Sequence, residues 1–402
     1  MARTHLTILI VIIALAAPAR SALAGATSGK LMPPVKFKAP VGTVLEYSTK
    51  CSSTEVNGWH WDEDAEELQR QFVIPAKGDT RWQLVVVSRD KSGNTDLAMP
   101  IVLEQTITRE DIRKALEAQG LLGKGADSSD TQRKPTLVVV SGYVKAFDPT
   151  KDPIPDVKQT QSGILTPKLD ARGGVLDDPS DVMSATNLSF VYDTGLLYPG
   201  VTIVPYPAGA KHVGDTWTRR PTFREQGRIR SYRGSLGSID AKLLGVETIG
   251  GHRCAKVSYT LSSSKGSDLE LTRSVQTVWV DQDGGYIVRA DLDVDFHYST
   301  SPDMPQSMRS TTTLVGISRL TPEQLKLAVA WQGDIRSALK QFELCAVDQS
   351  LVPDLTRAQR FARIRELLAK ADANSPRDEW KQGIKGLSDL TSQAEKRMKD
   401  YE

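Results

Sequence analysis

The chain has 402 residues, with 51 lysines and arginines against 49 aspartates and glutamates, which is room for two or three units with their own cores. That balance excludes global steering onto nucleic acid or an anionic membrane. Three cysteines, Cys51, Cys254 and Cys345, lie too far apart for a disulfide framework or a thiolate metal site.

The first residues, MARTHLTILIVIIALAAPARSALAG, place Arg3 before a twelve-residue apolar run from Leu6 to Ala17, and Ala22-Leu23-Ala24 has the small-x-small spacing a signal peptidase cuts after. The expectation is an exported protein, periplasmic or secreted in a bacterial host, cleaved after Ala24. Its 378 mature residues lose Arg3 and Arg20 and no acid, so 49 basic side chains face 49 acidic ones. No cysteine follows the cut to take a lipid, and no later apolar run reaches the eighteen or so residues of a membrane helix.

From about residue 34 to 320 strand and turn signals dominate. Three pairs of strings recur in order. VGTVLEYS at 41–48 matches VGDTWTRR at 213–220, and SRDKSGNTDLAMPIVL matches VETIGGHRCAKVSYTL around Gly93 and Gly251. KLDARGGVLDD at 168–178 then matches WVDQDGGYIVR at 279–289. The pattern predicts a mainly β protein, α+β overall, with two similar antiparallel meander halves at 34–200 and 201–320 forming a curved sheet, half-barrel or sandwich. Offsets of 172, 158 and 111 residues give the first half about 14 and then about 47 extra residues. These insertions are expected near 59–71, where WHWDEDAEELQRQ looks least like strand, and at 109–155, where TREDIRKALEAQG is patterned as helix.

The stretch VWVDQDGGYIVRADLDVDF, 278–296, is rich enough in aspartate to raise the question of a calcium loop. Asp281 and Asp283 supply only the first two ligands of one, and Gly284 comes too early. The stretch therefore reads as a hairpin closed by a two-residue turn at Asp283-Gly284 or Gly284-Gly285. Val275, Thr277 and Trp279 are then expected to share a face with Val288, Ala290, Leu292 and Val294, while Asp291, Asp293 and Asp295 form a solvated ladder on the other.

From Thr321 the period turns helical. Thr321-Pro322-Glu323-Gln324 is a capping box, followed by a stripe of Leu325, Val329, Ile335, Leu339 and Phe342. Ala358, Phe361, Ile364 and Leu368 make a second stripe, and Ser375-Pro376 opens a third with Trp380, Ile384, Leu387, Ala394, Met398 and Tyr401. Residues 321–402 are expected to pack as a helical segment on one another or on the sheet.

Few residues look chemical. His60, His212, His252 and His297 have no partner at ligand spacing, so no metal and no cofactor is expected. The acids around His60 read as a solvated run. TRRPTFREQGRIRSYRG gathers six arginines, of which Arg228 and Arg230 would share a strand face as contacts for an anion or a partner; an exposed strand face is the leading reading of them. Nucleophile-elbow and phosphate-cradling motifs are absent, which leaves catalysis without support in the sequence. Cys51 with Cys254 is the pairing an oxidising compartment would allow, against the alternative of three separate thiols.

The string HVGDTWTRR, followed by the run ending GGYIVRADLDVDF, resembles a class of exported bacterial proteins of unknown function in which a strand pair marked V-G-D-x-W precedes long β-meanders. More distantly, the leader and the amphipathic hairpins are similar to half-barrel carriers of the lipoprotein-localisation type, in which a curved sheet cups acyl chains under a helical lid. The likeness covers residues 205–315 best and the helical tail hardly at all. Its motifs are turns, so no catalytic residue is carried across. It implies a non-enzymatic binding protein with an apolar small molecule on the concave side of the sheet, lined by Trp217, Tyr259, Trp279 and Leu292. Ordinary core is the leading reading of each of the four, because any sheet needs one buried face. Two rival expectations stand beside it: an envelope scaffold that binds another protein through its insertions or C-terminal helices, and a hydrolase whose site is assembled by the fold.

Overall fold

The computed structural model describes residues 31–62, 67–122, 136–140, 147–149, 151–173, 175–177, 207, 209–219, 238–263, 269–299, 301–345 and 354–399. The leader, its cleavage point, and Arg228 and Arg230 lie outside the described residues. The strands are β1 (Thr43–Asp62), β2 (Glu67–Arg89), β3 (Thr95–Ile107), β4 (Thr136–Val140), β5 (Val157–Leu165), β6 (Lys168–Leu169) and β7 (Val175–Asp177) in the first half. The second half holds β8 (Thr216–Arg219), β9 (Ser238–Ile249), β10 (His252–Ser262), β11 (Leu269–Asp281), β12 (Ile287–Tyr298) and β13 (Ser301–Arg319). Helix α1 (Arg109–Ala118) follows β3, and α2 (Pro322–Cys345), α3 (Arg357–Ala373) and α4 (Asp378–Lys399) close the chain.

β1 to β3 and β8 to β13 each pair in succession, so the body is largely an antiparallel meander, in the order β7-β6-β3-β2-β1-β13-β12-β11-β10-β9-β8. β4 joins the far end of β1, and β5 lies along β3. The mainly β class, the antiparallel sheet and the C-terminal helices are as the sequence predicts. The two halves form one continuous sheet because β1 pairs with β13 from Thr43↔Arg319 to Thr54↔Ser307. The glycine opening each run makes the same bond: Gly42 donates its N–H to the Val86 carbonyl on β2, and Gly214 to the Leu243 carbonyl on β9, both at 2.8 Å. Both glycines have positive φ, +85° and +97°, where a side chain would be strained.

The sheet is strongly curled. Phe37 donates its N–H to the Ala171 carbonyl in the β6–β7 turn (3.2 Å), and its neighbour Lys38 donates to the Gly284 carbonyl in the β11–β12 turn (2.8 Å). In a flat sheet those turns would stand six strand spacings, about 29 Å, apart. Two adjacent residues reach both, so segment 31–40 ties the two sides of one end together. It also buries Met32, Val35, Phe37 and Ala39 in the main core, against Tyr47, Trp82, Leu97, Leu243, Val257 and Val280. That core occupies what we term the inner face.

Helices α2–α4 cover the outer face of β1–β3 and β5. Val44, Val85, Val87, Ala98 and Ile164 pack there against Trp331, Ile335, Phe342, Phe361, Trp380 and Ile384. The capping box at Thr321 forms reciprocally with Gln324, at 3.0 and 3.2 Å. Val329 and Ala358, expected in the stripes, are exposed, and Ala328 and Trp331 take the sheet-facing places in α2. Near the far end of β1 and β2 a separate apolar cluster joins Phe72, Ile74, Ile107, Ile112, Leu116 and Val138 beneath α1. Residues 59–62 and 67–71, expected as part of a non-strand insertion, are instead the paired ends of β1 and β2, with Gly58–Asp62 also paired to β4, while 63–66 lie outside the described residues.

One register differs from the sequence reading. The β11–β12 connection runs from Gln282 to Tyr286, closed by Gly285 N–H to Asp281 carbonyl at 2.9 Å, and the pairing slips between Trp279 and Val280. Leu292 therefore faces Gln276, Trp279 faces Arg289, and Val275 faces Asp293. A five-residue loop with a bulge replaces the two-residue turn, which turns Val275, Thr277 and Trp279 onto the aspartate face.

Candidate functional site

Directly opposed residues of neighbouring strands share a face, so the register traces rows across the sheet. One row runs Trp217, Ala241, Tyr259, Gln276, Leu292, Ser310, Cys51, Gly78, Gln105. Three of the four ligand-lining residues expected from the sequence, Trp217, Tyr259 and Leu292, thus lie in one row of the inner face, on alternate strands with Ala241 and Gln276 between them. Trp279 does not. It lies on the outer face, flanked by the Lys256 ammonium and the Arg289 guanidinium at 5.1 Å each and donating its indole N–H to Glu247 at 2.8 Å.

Around this row the inner face becomes polar and small. Thr49, Thr80, Ser274, Gln276, Ser310 and Thr312 are buried there, between the main core on one side and the Leu292, Val294, Phe296 and Met308 cluster on the other. Thr49 bonds Thr312 at 2.8 Å and accepts the Trp82 indole N–H at 3.0 Å. The Ser310 hydroxyl and the Trp217 indole N–H are buried with no partner among the described residues. A buried polar group left unpaired costs about 1–3 kcal/mol, so two in one row single this row out. Cys51 sits over Gly78, where an added Cβ would come within 2.5 Å of its sulfur.

Cys51 and Cys254 are not bridged, and none of the three cysteines forms a disulfide. The reason is parity: Cys51 opposes Ser310 on the inner face, whereas Cys254 packs with Trp279 and Val288 on the outer one. Burial, followed by the Asp281 charge, pushes the Cys254 thiol up to about 12, and burial pushes Cys345 up to about 11.

A second polar region lies at the rim, where an open cleft of about 700 Å³ is lined by Pro40, Thr43, His252, Arg253, Asp281, Asp283, Tyr286, Ile317 and Arg319, among others. The Gly250-Gly251 turn, both residues at positive φ, starts β10 at His252, and β11 ends at Asp281 beside it. His252 Nδ1 lies 3.1 Å from Asp281 Oδ2 and 3.5 Å from the Tyr286 hydroxyl. Asp281 Oδ1 accepts the N–H groups of Asp283 (3.1 Å) and Gly284 (2.5 Å), which holds the carboxylate against the ring. Burial first, and then the Asp281 charge, pushes the Tyr286 phenol up to about 12, so it stays a hydrogen-bonding group. No serine or threonine hydroxyl and no thiol bonds the His252 ring among the described residues, and no cluster of three metal-ligating side chains occurs among them. The pair orients a wall and supplies no nucleophile and base. Sequence reading set His252 aside because its partner is 29 residues away; the signal was the Gly-Gly-His start of one strand beside the aspartate that ends the next.

No family model matches the chain, and no curated protein does. Among solved structures, a protein assigned as a lipoprotein from Parabacteroides distasonis matches at 14% identity over 71% of this chain and 99% of its own, with a TM-score of 0.24. A protein assigned as exported, with a YmcC-like fold, from Bacteroides fragilis matches at 11% identity over 71% and 100%, with a TM-score of 0.22. At such identity and superposition the functional reading rests on the chain's own residues. No helix among the described residues is long and apolar enough to cross a membrane.

Proposed function

We propose that the protein is an exported, non-enzymatic binding protein of the cell envelope or secreted fraction, which holds a small amphiphilic molecule against the inner face of its curled sheet. The observation that carries this reading is the row from Trp217 to Cys51, in which two buried polar groups, Trp217 Nε1 and Ser310 Oγ, lack partners among the described residues. The threonine and serine belt would meet the polar part of the ligand, and Tyr259, Leu292 and the Phe296–Met308 cluster its apolar part. The apolar ligand expected from sequence is thereby given hydrogen-bonding groups. We also take the body as two similar meander halves, a reading supported by the matched bonds of Gly42 and Gly214.

Native mass spectrometry on the protein, purified from an exporting host without detergent, tests the reading. Excess mass that leaves on organic extraction, and is lost in a Ser310→Leu variant that fills the belt, is the expected result. An apo mass for the unaltered chain, unchanged by incubation with lipid extract, would remove the inner-face ligand.

A further inference from the structure

The rim cleft has a feature that the inner-face reading leaves unused. β13 pairs with β12 only as far as Thr313, opposite Arg289, whereas its pairing with β1 continues to Arg319. From Leu314 to Arg319 one side of β13 is therefore a bare strand edge. Leu320 donates its N–H to the Gly42 carbonyl, towards β1, at 2.9 Å. Backbone groups alternate along a strand, so Ile317 and Arg319 turn theirs the other way, into the cleft.

Three further observations point to an occupant. Val315, at the bulge opposite Glu46 and Tyr47, is 64% exposed, and Ile317 is 47% exposed, so the edge offers apolar side chains as well as backbone groups. Thr43, buried and lining the cleft, has a hydroxyl with no partner among the described residues. Arg319 on the edge and Arg253 on β10 both line the cleft, and neither guanidinium has an ion-pair partner among the described residues. Asp281 is engaged by His252 and two N–H groups, which leaves Asp283 as the opposing carboxylate.

We propose that this cleft is a strand-addition site: an extended acidic segment of a partner polypeptide pairs with Leu314–Arg319, and its carboxylate meets Arg319 and Arg253. Backbone pairing would supply most of the affinity and the two arginines the preference for acid.

The test uses the full chain and two labelled decapeptides of alternating valine and threonine, one with a paired Asp-Glu near its end and one with Lys-Lys. Fluorescence anisotropy should show the acidic peptide binding at least about tenfold better. Ile317→Pro removes an N–H that points away from β1, so circular dichroism should stay native while acidic-peptide binding falls about tenfold or more. Arg319→Glu should shift preference towards the lysine peptide without touching the edge. Equal binding of the two peptides, binding unmoved by Ile317→Pro, or no binding of either would overturn the proposal. A concentration-dependent dimer that Ile317→Pro dissolves would give the edge to a second copy of this chain and overturn it equally.

Discussion

The outer face of the sheet has two halves that solve the same problem in opposite ways. Over β1–β3 and β5 it is apolar, and three helices seal it, with the Trp331 and Trp380 rings packed at a tilt, their centroids 4.5 Å apart, and the Trp380 indole N–H donated to Gln83 at 2.9 Å. Over β11–β13 it is a charge ladder. Arg309 bridges Asp293 and Asp295 at 2.6 Å each, Arg273 reaches Asp293 at 2.6 Å, and Arg289 reaches Asp291 at 2.9 Å. The inner face is buried along both halves, so the outer residues of each strand decide whether a partner layer is needed. Alternating aspartates close one side to helices, while the valines at 44, 85 and 87 demand them.

The largest effect should come from the sealed side. Trp331→Ala leaves a cavity where a fully buried indole packed and should cost about 3–5 kcal/mol, read as a lower urea midpoint. Gly386→Ala comes next. Its added Cβ would stand 1.9 Å from the Ser162 carbonyl oxygen, so α4 must lift from β5, at about 1–3 kcal/mol and with a red shift of Trp380 emission. The thiols give a pH test on both sides. Cys254 and Cys345 rise from 9.0 to about 12 and about 11, so the unfolded chain sheds their protons first. Their contribution is whole below pH 9 and is lost as pH climbs towards 11 and 12. Urea midpoints across pH 8.5–10.5 should fall, and Cys254→Ala should flatten the slope; an unchanged slope would refute the burial. The smallest effect belongs to the ladder, where Asp293→Asn should cost less than about 1 kcal/mol and fade in high salt.

Much of this contrast was legible. Helical periodicity located the tail, and the capping box at Thr321 formed as its spacing requires. The turn glycines at 93, 251 and 285 have positive φ, as turn chemistry predicts, whereas Gly284, expected in the two-residue turn, does not. The register was not legible, because a bulge beside Val288 moves one residue and with it a whole face, which is why Trp279 was misplaced and Leu292 was not. Loop composition misled at 59–62 and 67–71, where pairing on both sides of β1 holds the end of that strand extended. The rim cleft was beyond reach for another reason. His252, Asp281 and Arg319 come from three strands, and Pro40 and Thr43 join Arg319 in lining the cleft only once β1 has met β13.

That meeting has a consequence for the order of events in the cell. A ribosome releases the first strand more than 250 residues before the last, yet Thr43 takes Arg319 as its partner. Until the end of β13 is synthesised, β1 offers an unprotected edge to any other nascent chain, and the loop to be closed is nearly the whole body. Folding of the sheet is therefore a late event, completed after synthesis of the body, and the interval before it is when the chain is most open to aggregation and proteolysis.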